Sequence, residues 1–282
     1  MVENRRFLDI LAHAVLLLGV LAVAFPVYVA FVASTHPSSD FVSGVVPLLP
    51  GSEGLATYRE VLAGGGSTQM SVPIALALKN SLIMALAIAL GKIAISILSA
   101  YAIVWFRFPL RQLAFWAIFI TLMLPVEVRI VPTFKVVADL GLLNSYAGLS
   151  VPLIASATAT FLFRQVFLTI PDELMEAARI DGAGPIRFFR DVLVPLSQTN
   201  IAALFVILFI YGWNQYLWPI LITTDDSFTT VVAGIKRMAD VTDGEPRWND
   251  IMATAMLAMA PPALVVIVMQ RLFVKGLVET EK

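Results

Sequence analysis

The sequence predicts an all-α membrane protein with six transmembrane helices, and three observations predict it. Hydrophobic residues make up 59% of the 282, charged residues only 14%, and mean hydropathy is +0.86; soluble domains run at about 45–50% apolar and about 25% charged. The charges gather in short polar stretches between long apolar runs, which is the pattern of several membrane crossings and not of one anchor on a soluble body. Six runs reach the roughly 20 residues that a helix needs to cross hydrocarbon: residues 10–32, 77–105, 112–134, 145–163, 200–222 and 251–273.

The first run follows Arg5 and Arg6, as a signal peptide would. It is far longer than the ~7–15 residues of a signal core and is therefore expected to be a retained helix. Residues 33–74, rich in Gly, Ser and Pro and including Gly64-Gly65-Gly66, are expected to form an irregular connector. The second run carries Lys92, roughly 20 Å along the helix from Lys79 at ~1.5 Å per residue. A cation at that depth costs about 2.5–3.5 kcal/mol, so it must face other helices, a wet cavity or an acid. It is either a buried, satisfied cation or an anion contact in a translocation path. The Gly91-Lys92 pair is no phosphate loop: Ile93 follows it, Leu86 stands where the loop needs its first Gly, and the segment is apolar.

The third run carries Glu127 and Arg129 in its outer part, two residues apart and so pointing to different sides. Arg129 suits a phosphate, and Glu127 suits an ion pair with Lys or Arg elsewhere. The fourth run holds Ala155-Ser156-Ala157-Thr158-Ala159-Thr160, small residues that permit close helix contact and would also line a pore. In the fifth, Trp213, Tyr216 and Trp218 fit an outer interface belt, and Asn214 beside them either satisfies backbone or touches solute. The polar stretch 223–250, with Asp225, Asp226, Asp240, Asp243, Glu245 and Asp250, reads as a solvated loop or a docking surface. Pro261-Pro262 is expected to kink or break the sixth helix.

Orientation follows from Lys and Arg placement. With the N-terminus inside, Arg5, Arg6, Arg107, Arg111, Arg164, Arg179, Arg187, Arg190, Arg271, Lys275 and Lys282 fall on the cytoplasmic side. Arg59, Lys79, Arg129, Lys135, Lys236, Arg237 and Arg247 fall outside, so both termini are expected in the cytoplasm. Cysteine is absent, which removes disulfides and thiol chemistry, and the only histidines, His13 and His36, form no zinc-protease motif. A net charge of -1 gives no argument for nucleic acid.

The most informative loop lies between runs four and five, over residues 169–195. Pro171, Asp172 and Glu173 suit a helix first turn. Leu174, Ala177 and Ala178 share one helical face, and Gly182 and Gly184 suit the helix end. Pro185 suits the start of a second short helix, with Ile186, Phe189 and Val192 along one face. The expectation is helix, sharp turn, helix, held against the membrane face of the protein. Such a unit is either an interfacial structural pair or a rigid piece that carries force from a soluble motor to the spans.

Glu176-Ala177-Ala178, then Gly182, Val192, Val194 and Pro195, resembles the EAA loop of ABC importer permeases, with Val at both branched positions of that motif. Asp181-Gly182-Ala183 is similar to its sugar-permease version. Residues 171–174, 213–219 and 141–146 resemble the carbohydrate-type branch; residues 99–111, 120–130 and 269–271 resemble, more narrowly, the second permease subunit of sn-glycerol-3-phosphate importers. The resemblance covers nearly the whole chain and is least clear over residues 36–75 and 225–247.

The resemblance implies the type I ABC importer permease fold: residues 1–75 an N-terminal helix and periplasmic loop, 76–273 the permease domain with its coupling loop at 170–195, and 274–282 a cytoplasmic tail. It implies that Glu176, Ala177, Ala178, Asp181, Gly182 and Pro195 couple to an ATPase. It implies a bacterial inner membrane and four kinds of partner: a second, homologous permease, a dimer of ATP-binding subunits, a periplasmic solute-binding protein and the lipid bilayer. ATP and Mg would act on the ATPase, with no cofactor, metal or catalytic residue on this chain. The implied solute is sn-glycerol-3-phosphate, with glycerophosphodiesters in range. Lys92, Glu127, Arg129 and Asn214 are the candidate path residues. A neutral sugar or polyol is the alternative solute within the family. An ion-coupled secondary transporter would need more buried acids and an internal repeat, and an intramembrane enzyme would need a nucleophile–base set.

Overall fold

The computed structural model describes residues 6–41, 44, 47–64, 72–240 and 245–279, without the side chains of residues 6–7, 122, 126–127 and 271–279. Among the described residues every regular element is helical. In chain order the α-helices are α1 (Arg6–Ala33), α2 (Gly54–Ala63), α3 (Ile74–Trp105), α4 (Arg111–Ile120), α5 (Val126–Asp139), α6 (Tyr146–Ser150), α7 (Ala157–Leu168), α8 (Asp172–Ile180), α9 (Pro185–Phe188), α10 (Val194–Leu196), α11 (Gln198–Trp213), α12 (Leu217–Ile222), α13 (Val231–Ala239) and α14 (Trp248–Glu279). The chain divides into two units, residues 1–76 with 234–260 and residues 77–233 with 261–282.

In the first unit α1 is apolar on every side, with Leu16, Leu18, Leu21 and Val23 all exposed. A helix of that kind needs lipid or another protein's helices around it. It is buried only at its end, at Val32 and Ala33. There the chain turns on Thr35, whose hydroxyl accepts from Gly51 N (2.8 Å) and whose carbonyl accepts from Glu53 N (3.0 Å). His36 bonds the Leu49 carbonyl through Nε2 (2.8 Å) and Asp40 through Nδ1 (2.9 Å). Two acceptors on one ring favour the imidazolium, and the Leu49 carbonyl, then the Asp40 carboxylate, raise its pKa above the ordinary histidine value. The expected irregular connector therefore holds an ordered helix, α2, closed by Gly64. Residues 65–71 of that connector, which include Gly65 and Gly66, lie outside the described residues.

In the second unit, α3 is about 48 Å long at ~1.5 Å per residue. Its Met84 and Ile88 pack with Val137, Leu149, Trp218 and Ile222 in one buried cluster, which joins α3 to α5, α6 and α12. Buried Asn80 donates to the Ser227 and Thr229 carbonyls (2.8 and 3.0 Å) and accepts from Tyr146 Oη (2.8 Å). The start of the 223–250 stretch is thus anchored and not simply solvated. Asp225 caps Ser227 N at 2.9 Å, which holds its carboxyl below the usual range.

Among the described residues three helical stretches are long and apolar enough to cross a membrane, Leu8–Ala33, Ile74–Trp105 and Trp248–Gln270; the number rises to five if each of two bent pairs is one crossing. The expected third run is not one helix: Leu124 is extended ahead of Pro125, which separates α4 from α5, because a residue before proline is pushed out of helical geometry. The fourth is bent by 51° between Tyr146–Leu153 and Ala157–Leu168. The fifth follows a 73° bend between Pro185–Leu196 and Gln198–Trp213, and it is interrupted again before α12. At Pro261-Pro262, where a kink or break was expected, the helix is not broken, since α14 runs through both prolines.

Candidate functional site

The loop at 169–195 folds as helix, turn, helix. Pro171 precedes the first turn of α8, and Asp172 and Glu173 stand in that turn, where acids oppose the positive end of the helix dipole. At the other end Gly182 takes φ +73. Ala183 N bonds Ala178 O at 2.8 Å and Gly182 N bonds Arg179 O at 3.0 Å, the double closure of a Schellman turn. A side chain at position 182 would meet nothing within 4 Å, so glycine is required for its backbone angle and not for space in this chain. Gly184 has ordinary angles and precedes α9.

No residue of α8 is buried. Glu176, Ala177, Asp181, Gly182 and Pro195 are exposed, and Ala178 is half-buried. Of the expected face of the second helix, Phe189 and Val192 are half-buried. Ile186 is 82% exposed, while Phe188 and Leu193 are buried. The reason is a π turn over Phe189–Leu193. In an α-helix residues five apart lie about 140° apart around the axis, but i→i+5 closure brings them onto one side. Phe188 and Leu193 are such a pair, which α periodicity does not place together.

That buried side meets the end of α3. Tyr101 Oη donates to Pro185 O at 2.9 Å, and the Tyr101 ring lies 5.1 Å from those of Phe106 and Phe189. Trp105 and Phe188 pack edge to face at 5.2 Å. Between α8 and this aromatic clamp is a cavity of about 400 Å³ lined by Met175 and Ala178. The segment that follows the Gly182 turn is thereby held against the end of α3.

Farther along α3, about 20 Å from Trp105, Lys92 faces a second cavity of about 560 Å³. Lys92 is 7% exposed, and its Nζ stands 3.7 Å from the centroid of the Tyr211 ring. A desolvated cation–π contact is worth up to about 2 kcal/mol, which offsets part of the cost of the buried charge. Arg129, from α5, lines the same cavity. Asn214 does not: it stands exposed at the end of α11, with its backbone N–H on Ile210 O. Glu127 belongs to α5, but its side chain lies outside the described residues. Of the small residues of the fourth run, Ala155, Ser156, Ala157, Thr158 and Thr160 border this cavity at the bend ahead of α7. Gly91 permits the approach of that bend. A Cβ there would lie 2.6 Å from Ile154 Cγ2.

Sequence reasoning missed Tyr211, which is far from Lys92 along the chain. It also missed the clamp function of Tyr101, Trp105 and Phe188, for which aromatic residues at the edge of a predicted span were the only signal.

Residues 92–279 match the family described as binding-protein-dependent transport system inner membrane component. The chain is 61% identical over 282 residues to a protein of Agrobacterium fabrum, 59% to one of Brucella melitensis and 60%, over 283 residues, to one of Pectobacterium atrosepticum. In each case both chains are covered completely, and each relative is named sn-glycerol-3-phosphate transport system permease protein UgpE. Among solved structures, a chain of a bacterial ABC transporter involved in import of the acidic polysaccharide alginate superposes with a TM-score of 0.81, at 20% identity, covering 96% of this chain and 98% of that one.

Proposed function

The chain belongs to the binding-protein-dependent transport system inner membrane components, and from that premise we propose that it is a permease subunit of an ABC importer for sn-glycerol-3-phosphate. The observation that carries the mechanism is the exposed helix α8, joined by the Gly182 turn to α9, which is clamped to the end of α3. The solute rests on the relatives, whose whole length this chain matches.

The physical sequence is short. A dimer of ATP-binding subunits, which holds ATP and Mg, receives α8 through Glu176, Ala177, Ala178, Asp181 and Gly182. Small exposed side chains let the partner's surface approach the backbone closely. The Schellman turn passes displacement of α8 to α9 without a loose joint, and the aromatic clamp passes it to α3, which carries Lys92 in the cavity. A second, homologous permease completes the pathway, a periplasmic solute-binding protein delivers the solute, and the cavity alternates between the two sides. The chain itself catalyses no covalent step. Its setting is a bacterial inner membrane, with six crossings, the third made by α4 and α5 together, and both termini in the cytoplasm.

The test is uptake of labelled sn-glycerol-3-phosphate in cells lacking this chain, complemented with wild type or with Gly182→Glu. Wild type should restore uptake, and the variant should be inserted but inactive. Wild type that restores nothing, with its partners present, overturns the solute; a fully active Gly182→Glu overturns the coupling loop.

A further inference from the structure

We propose that Lys92 and the start of α7 form a site for the phosphoryl group of the solute, a phosphate monoester, on this subunit. The inference rests on the function proposed above and adds where the charge of the solute is read.

Four features of one cavity carry it. Lys92 is more than nine-tenths buried, and among the described residues its only polar contact is the Tyr211 ring face. Arg129 contributes a second cation to the same lining, which holds no carboxylate among the described residues. The bend at 154–156 ends where α7 begins, so the positive end of a 12-residue helix opens on the cavity. Ser156 Oγ takes the amide of Ala159 (3.2 Å), which leaves those of Ala157 and Thr158 without an intrahelical acceptor. Ala157 and Thr158 both line the cavity. An ammonium, a guanidinium and two backbone amides directed at one volume match a tetrahedral dianion, which offers several acceptor oxygens. A neutral polyol leaves the cations uncompensated. Half-helix N-termini aimed at an anionic group are a known way for transport proteins to hold one at mid-membrane depth.

Because the chain has no cysteine, a single thiol can probe the site. The assembled transporter, with Lys92→Cys in this chain, is reconstituted in proteoliposomes. Uptake of labelled sn-glycerol-3-phosphate should fall about tenfold or more, the scale of one charge-assisted hydrogen bond. Treatment with 2-aminoethyl methanethiosulfonate, which returns an ammonium to position 92, should restore most of it. Methyl methanethiosulfonate, of similar reactivity but neutral, should not, and wild type treated in parallel should be unaffected by either. Undiminished uptake by Lys92→Cys, or equal rescue by both reagents, overturns the proposal. Undiminished uptake with loss of co-purifying phospholipid assigns the site to a lipid headgroup and also overturns it. Wild type without uptake overturns the proposed solute instead. Should Lys92→Cys fail to assemble, Thr158→Cys decides: sn-glycerol-3-phosphate, but not glycerol, should slow its labelling in the assembled transporter, and labelling indifferent to both excludes the site.

Discussion

Tyr101 Oη and the carbonyl oxygen of Pro185, 84 residues apart in sequence, lie 2.9 Å apart in the structure. This bond fixes the start of α9 to α3. Tyr101→Phe removes it while leaving the ring against Phe106 and Phe189. A typical net loss is about 1 kcal/mol. The expected outcome is a complex that still hydrolyses ATP but moves less solute per ATP, with Trp105→Ala more severe because it also empties the contact with Phe188. Parallel measurement of ATP hydrolysis and uptake in proteoliposomes checks this.

Gly182 makes a separable prediction. Its φ of +73 costs an L residue about 1–2 kcal/mol, less for Asn, and no neighbour in this chain restricts a Cβ there. Uptake is expected to fall in the order Gly, Asn, Ala, while the melting temperature of the complex moves little. A large drop in melting temperature for Gly182→Ala would show that packing within the chain, and not the backbone angle of the turn, is what matters.

Gly91 should behave in the opposite way. Ile154 Cγ2 stands 2.6 Å from where a Cβ would be, so Gly91→Ala overpacks the bend beside Lys92. Such overpacking costs about 1–3 kcal/mol. Adding Ile154→Ala removes the obstructing methyl, and the double variant is expected to melt and transport closer to wild type than Gly91→Ala does. A double-mutant cycle in thermal unfolding gives the coupling directly, and additivity would contradict the contact.

His36 adds a pH dependence. Its folded pKa is raised by the Leu49 carbonyl and by Asp40. The stability it contributes is therefore fully present below the unfolded value of about 6.5 and is lost as pH rises through the folded value. Hydrogen exchange at the amides of Gly51 and Glu53, which are tied to Thr35, should quicken across that window beyond the intrinsic base catalysis. His36→Ala should show fast exchange already at low pH and only the intrinsic slope.

The long spans were legible because hydropathy over about 20 residues is a strong signal: 10–32, 77–105 and 251–273 each fall inside a continuous helix. The helix–turn–helix at 169–195 was legible because its stops are local, Pro171 before the first turn and Gly182 after the last. The breaks at Leu124-Pro125 and 154–156 were hidden, since an averaging window runs across one proline or one capping serine. Of the face named from Ile186, Phe189 and Val192, the last two are half-buried, but the fully buried pair Phe188 and Leu193 was hidden because α spacing does not hold through a π turn. Lys92 was recognised as a buried cation, but neither its Tyr211 partner nor its shared cavity with Arg129 leaves a mark in sequence. Asn214 ends α11 and does not line the cavity that Lys92 faces, a placement that its residue type alone does not give.

The π turn at Phe189–Leu193 holds one residue more than an α turn over nearly the same sweep of the helix axis. Five residues closed i→i+5 return to one side of the helix, much as four do at about 100° each in α geometry. Deleting one residue within it, with a return to α closure, would therefore leave α11 and its Tyr211 close to their present angular phase. What would be lost is the side that Phe188 and Leu193 now share. The extra residue thus selects which side chains are seated without turning the membrane helix that follows.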